Sequence, residues 1–141
     1  MGGPNVAALG FGMGIERLML VLEAQNTELP KINTCELYIA TMGEAASLKA
    51  SELCALLRND GFKVQTDIVS RGLKAQMKFA DKIGASFTMV LGDSEIESGN
   101  AKLKNMKNGE EITIKLSNIS DELFSAVNKA ALDSLTDAIT E

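Results

Sequence analysis

Three groups of residues in this chain combine side-chain type and spacing in ways that could do chemistry. The first is Gly10, Gly12, Gly14, Glu16 and Arg17, within VAALGFGMGIERLMLVL from Val6 to Leu22. Alternating glycines remove side chains where backbone must meet backbone or a ligand, and a strand-to-helix turn built on them can offer amide groups to an anion. Arg17, one turn into the expected helix, has a planar guanidinium suited to phosphate oxygens or to stacking on a flat base. The second group is Arg71, Lys74, Lys78 and Lys82, which make a cationic stripe if their segment is helical. The third is Lys102, Lys104 and Lys107, with Lys102 and Lys104 on one face of a regular strand. Such lysines could position a nucleic-acid backbone without reading its sequence. Simpler roles fit the same patterns: glycines that pack a helix onto a sheet, and lysines on a solvated face.

Composition narrows the chemistry. The chain has 141 residues, 45% of them hydrophobic, as in a globular protein, and no run of membrane-spanning length. A soluble, cytoplasmic protein with no membrane partner is the expectation. It contains no histidine, which excludes Ser-His and Cys-His catalysis from its own residues. Cys35 and Cys54 lie far apart in apolar segments, without CxxC spacing, so buried thiols are expected and no metal site. A net charge of -5 argues against a nonspecific nucleic-acid binder. The segment 60–116 is the exception, at +1 against -2 before it and -4 after it.

The elements that must position these residues follow from periodicity. Val6 to Leu9 reads as a short buried strand, and Ile15, Leu18, Met19 and Leu22 recur at helical spacing. Gln25 to Thr34, interrupted by Pro30, reads as a linker. The expected organisation is therefore 1–31, a strand-helix unit with its linker, and 32–141, a separate domain. In that domain Glu36 to Thr41 is a strand, followed by a helix with Leu48, Leu53, Leu56 and Leu57 as its buried stripe. Phe62 to Ile68 alternates as a strand with one wet face, and Leu73 to Ile83 is a helix burying Leu73, Met77, Ala80 and Ile83. Phe87 to Leu91 is a third strand. Ala101 to Met106 and Glu111 to Leu116 form a hairpin around Asn108-Gly109. Ser120 can cap a last helix with Phe124, Val127, Ala131 and Leu135 as its core stripe. The sum is an α/β fold: a mixed five-stranded sheet with three helices.

GFGMGIERL, Gly10 to Leu18, resembles the third signature motif of class II aminoacyl-tRNA synthetases, and its wording is most similar to the histidyl-tRNA synthetase family. The resemblance continues through the whole remainder of the chain. It implies that residues 1–31 end a catalytic domain in which Arg17 contacts ATP, with Gly12 and Gly14 at the same nucleotide site. It implies further that residues 32–141 are an anticodon-binding domain. The first two class II motifs and the histidine-recognition segments would lie upstream of residue 1. The whole enzyme, a homodimer using ATP, Mg2+, histidine and tRNA, would then be the active histidine-tRNA ligase, with no cofactor expected for this piece. Residues 1 to about 30, deprived of their sheet, are expected to be poorly ordered or to pack on another copy.

The segment GDSEIESG, Gly92 to Gly99, is similar to the loop in which that family reads anticodon bases with an acid and a downstream basic residue. The matching positions are Glu95 and Lys104. Arg71, Lys74, Lys78 and Lys102 are the accompanying candidates for tRNA phosphates. A non-catalytic synthetase-like module binding RNA or protein, or a regulatory paralogue, is the alternative.

Overall fold

A computed structural model describes residue 7 and residues 9–27 and 35–140, the last seven in backbone only. The chain divides into two units, cut after Ile32.

In the first unit Gly14 is the N-cap of helix α1 (Ile15–Ala24), and Glu16 sits favourably in its first turn. No residue of α1 is buried. Of the strand expected at Val6 to Leu9, the described Ala7 and Leu9 lie in irregular backbone, and Val6 and Ala8 lie outside the described residues.

The second unit follows the expected order with two additions, a short helix at Asp93–Ser98 and a 3-10 turn at Leu116–Asn118: β1 (Leu37–Thr41), α2 (Glu44–Asn59), β2 (Val64–Thr66), α3 (Leu73–Lys82), β3 (Phe87–Leu91), α4 (Asp93–Ser98), β4 (Asn100–Asn105), β5 (Glu111–Lys115) and α5 (Ile119–Thr140). The sheet order is β2-β1-β3-β4-β5. β1 is parallel to β2 and β3, whereas β4 is antiparallel to both β3 and β5. The change of direction follows from connection length: α2 and α3 carry the chain back for parallel pairing, and the short turn closing at Gly109 (φ +77°) does not.

Pleating sends alternate residues to opposite faces. One face carries Leu37, Ile39, Phe87, Met89, Leu103 and Ile114 under Leu53, Leu57 and Leu123 of α2 and α5. The other carries Tyr38 and Ala40 under Ala80, Leu73 and Met77 of α3. Only α3 covers this second face, so its β3-β4-β5 half has no helix over it among the described residues.

Several expected positions move. In α2 the stripe is Ala46, Ala50, Leu53, Cys54 and Leu57, with Leu48 and Leu56 exposed, because close approach to the sheet favours the face with small residues. In α5 Ile119, Leu123 and Ala126 are buried, and Val127 packs beside them. Phe124 is 60% exposed and Ala131 is also exposed, while the side chain of Leu135 lies outside the described residues. The helix starts one residue before Ser120, so that residue is no cap; its hydroxyl donates to Asp60 instead. Cys35 and Cys54 are free and buried, and burial first of all pushes the Cys35 thiol up to about 11.

The shortness of β2 has a specific cause. Its ladder with β1 ends at Ile39 and Thr66, and the backbone of Thr41 is taken by a side chain from α3. The Gln76 amide accepts from the Thr41 N–H at 2.8 Å and donates to its carbonyl at 2.9 Å. It also donates to the Arg71 carbonyl at 2.6 Å. A buried amide thus replaces the rest of the strand, and Ile68, expected to face the core, is 88% exposed.

Candidate nucleic-acid interface

The uncovered half of the α3 face forms a cleft of about 430 Å³. Thr88 and Val90 of β3 and Ala101 of β4 line it, and Met77 of α3 forms one wall. Lys102 and Lys104 line it from β4, Glu111 and Thr113 from β5, and Glu95 from α4. The register brings these together: Lys104 stands opposite Thr88 on one side and Glu111 on the other, and Lys102 opposite Thr113. Residues 95, 102 and 104, matched by resemblance to base and phosphate contacts, therefore meet in one place.

Glu95 is held by the short helix α4, where the sequence leads one to expect a loop. Its Oε2 accepts from the Gly92 N–H at 2.9 Å and from the Ser94 hydroxyl at 3.1 Å, which satisfies a free donor at the start of α4. Oε1 is the oxygen left to a ligand. A Cβ on Gly92 would lie 3.1 Å from Glu95 Oε2 and 3.2 Å from Met42 Cε, so a larger residue there would push on both side-chain ends by a few tenths of an ångström. Glycine at 99, with φ +67°, ends α4 and turns the chain into β4.

The cationic stripe is divided. Lys74 and Lys78 are exposed on α3, but Arg71 precedes the Gly72 N-cap and turns away from them. Its Nε lies 2.6 Å from Asp67 Oδ1, and its guanidinium stacks on Phe79 at 4.3 Å from the ring centroid. The Asp67 side chain is 1% exposed. Burial raises its pKa, but hydrogen bonds from the Arg71 backbone and guanidinium, with the cationic charge, outweigh that and hold it below the usual carboxylate range. Tyr38 is buried beside this pair, its ring edge-on to Phe79 at 5.9 Å. Arg71 thus joins β2 to α3 and is committed to that contact. Lys107 also leaves its expected group, because it sits in the β4–β5 turn and faces a second cleft.

That second cleft, about 690 Å³, lies at the other end of the sheet, where Glu36, Asp81 and Asp133 oppose the single Lys107. Three carboxylates against one lysine disfavour a phosphate backbone. Met77, Glu111 and Thr113 were not singled out from sequence as site residues. Strand parity with Lys102 and Lys104 could have found the last two; Met77 read as core because it lies on the apolar side of α3.

In the first unit Arg17 lies above Gly14, where a Cβ would meet its stem at 3.9 Å, and Gly12 has open space around it. An exposed guanidinium at a helix N-terminus fits a phosphate or a base. No cluster of three metal-ligating side chains is present among the described residues.

The fold and this cleft define an α/β binding domain with an open, lysine-lined sheet surface. The chain belongs to the anticodon binding domain family, whose model matches residues 36–125. It is 49% identical to a histidine–tRNA ligase of Alkaliphilus oremlandii over 84% of this chain and 28% of that protein. It is 45% identical to one of Streptococcus pneumoniae over 91% of this chain and 30% of that protein. The chain therefore spans less than a third of the relatives it matches. Among solved structures, apo histidyl-tRNA synthetase of S. aureus superposes with a TM-score of 0.68 at 42% identity, over 77% of this chain and 32% of that one. The histidyl-tRNA synthetase of Nostoc sp. PCC 7120 shares the fold, with a TM-score of 0.64 at 23% identity over 82% of this chain and 28% of that one.

Proposed function

We propose that this chain recognises the anticodon of histidine-accepting tRNA, as part of a longer enzyme that attaches histidine to that tRNA using ATP. The observation that carries the reading is the convergence of Glu95, Lys102 and Lys104 on the open half of the sheet in an anticodon binding domain. Single-stranded loop bases can be splayed onto such a surface, with their edges read by side chains. Glu95 Oε1 accepts a hydrogen bond from a guanine N1–H or N2–H, and Lys104 donates to a base acceptor or a phosphate oxygen.

ATP, its Mg2+ and histidine belong to the longer enzyme, a cytoplasmic homodimer. Arg17 would contact the nucleotide beside Gly12 and Gly14, as a fixed cation holding its negative charge in place. Binding of the purified chain to tRNA with the histidine anticodon, compared with the same tRNA carrying a changed anticodon loop, tests the recognition. Preference for the first tRNA, reduced by replacing Glu95 or Lys104, is the expected result; equal binding to both would refute base reading. Histidine-dependent ATP–pyrophosphate exchange by the longer protein tests the enzymatic part.

A further inference from the structure

The turn between β4 and β5 carries Asn108-Gly109, and of the nine asparagines in the sequence Asn108 alone is followed by glycine. Both residues are exposed. Asn108 Oδ1 accepts from the Glu110 N–H at 3.0 Å, which holds the side-chain amide against the Asn108–Gly109 peptide. The Gly109 N–H is held in turn by the Asn105 carbonyl at 2.9 Å, and the Asn105 N–H closes the hairpin on the Glu110 carbonyl at 2.8 Å. Asn105 supplies an internal comparison beside the same turn. Its Oδ1 accepts from the Lys107 N–H at 2.9 Å, and the N–H that follows it, on Met106, is bonded to the Ser86 carbonyl at 2.9 Å. The two asparagines thus share the same kinds of side-chain and backbone bond. They differ in the next residue, which has a Cβ at 106 and none at 109.

We infer that Asn108 is a site of covalent modification, deamidation through a cyclic imide, gated by the hairpin turn. The Gly109 backbone nitrogen gives its proton to hydroxide and bonds to Asn108 Cγ. The Cγ–Nδ2 bond breaks, and Nδ2 leaves as ammonia with a proton taken from water. Water then opens the five-membered imide at either carbonyl, giving aspartate or its isoaspartyl isomer, with no oxidant or reductant involved. Glycine leaves the attacking nitrogen without a Cβ beside it, an access that Met106 denies at Asn105. The Gly109–Asn105 bond is the gate, because the nitrogen is free to attack only when the end of the turn opens. The aspartate product would add a fourth carboxylate to the second cleft, which Asn108 lines with Lys107. The isoaspartyl product would put an extra backbone carbon between residues 108 and 109 and move the closing bonds of the hairpin out of register. The site rests on this turn alone and does not depend on the anticodon reading.

The test incubates the purified chain in mildly alkaline buffer, folded and in guanidinium chloride, and maps its peptides by mass spectrometry over time. Asn108 is expected to lose ammonia before any other asparagine and to yield both aspartyl and isoaspartyl peptides, while Asn105 stays intact over the same period. Unfolding should speed the reaction at Asn108 about fivefold, since one backbone hydrogen bond no longer restrains the nitrogen. In Asn108→Gln the ring would need six members, and ammonia loss at that position should disappear. Earlier modification of Asn105 or of any other asparagine overturns the assignment of the site. Aspartate without the isoaspartyl isomer means direct hydrolysis and overturns the imide route. Equal rates in the folded and unfolded chain overturn the gate.

Discussion

Glu95 divides its two oxygens between folding and recognition, which makes one substitution informative. In Glu95→Gln the amide oxygen can still accept from the Gly92 N–H, while an amide donor replaces the acceptor left to a ligand. Helix α4 should therefore persist, and preference for a guanine-containing anticodon should fall by roughly 1–3 kcal/mol, measured as a ratio of tRNA affinities. Glu95→Ala removes both functions and cannot separate them. Asp67 works at the same scale but serves stability. Its folded pKa is lowered, so its contribution is fully present above the unfolded value of about 4 and is lost as pH falls through the folded one. Asp67→Asn should lower stability by about 1–3 kcal/mol at neutral pH. It should also flatten the acid limb of a plot of thermal midpoint against pH, and an unchanged limb would mean that another carboxylate sets it.

Among the elements, α3 does most to shape the site, and it is fastened at its start rather than along its length. Gln76 satisfies both backbone groups of Thr41 and the carbonyl of Arg71, while Arg71 itself bonds Asp67 and covers Phe79. Gln76→Leu keeps roughly the volume but leaves these buried groups without their partner, at a cost of about 1–3 kcal/mol. Because the same anchor places Met77 at the cleft wall, the variant should also weaken tRNA binding at temperatures where it remains folded. Hydrogen exchange at Thr41 and in the first turn of α3 would register the loss, and unchanged protection there would assign the anchoring to Arg71 and Asp67. The short α4 has a comparable role on the other side of the cleft, where Gly92 and Gly99 frame the six residues that hold Glu95.

For the whole molecule, the second unit contains both apolar clusters and every residue of the cleft, whereas α1 buries nothing. A chain starting at residue 33 should therefore unfold with the same midpoint and bind tRNA as the full chain does. A lower midpoint in calorimetry would show that residues 1–32 contribute to the fold. Leu18, Met19 and Val21 of α1 are exposed, so its apolar positions find no burial among the described residues.

What the sequence determined by itself is the order of elements and the residue types at the site. Alternation in β4, helical spacing in α2 and α3, and the glycine at 109 are local signals, and local signals survive without knowledge of neighbours. The stretch Gly92 to Gly99 is expected as a loop and not as a helix, because six residues are too few to show a period. Only the tertiary structure decided that Glu95 meets Lys102 and Lys104 at one cleft. It also decided that Arg71 is withdrawn into an ion pair and that Lys107 belongs to the far end of the sheet. Those outcomes depend on which strand lies beside which, and on a side chain 35 residues away in sequence replacing the end of β2. Pairings over such distances are set by the packing of the whole sheet and leave no periodic trace in the residues that make them.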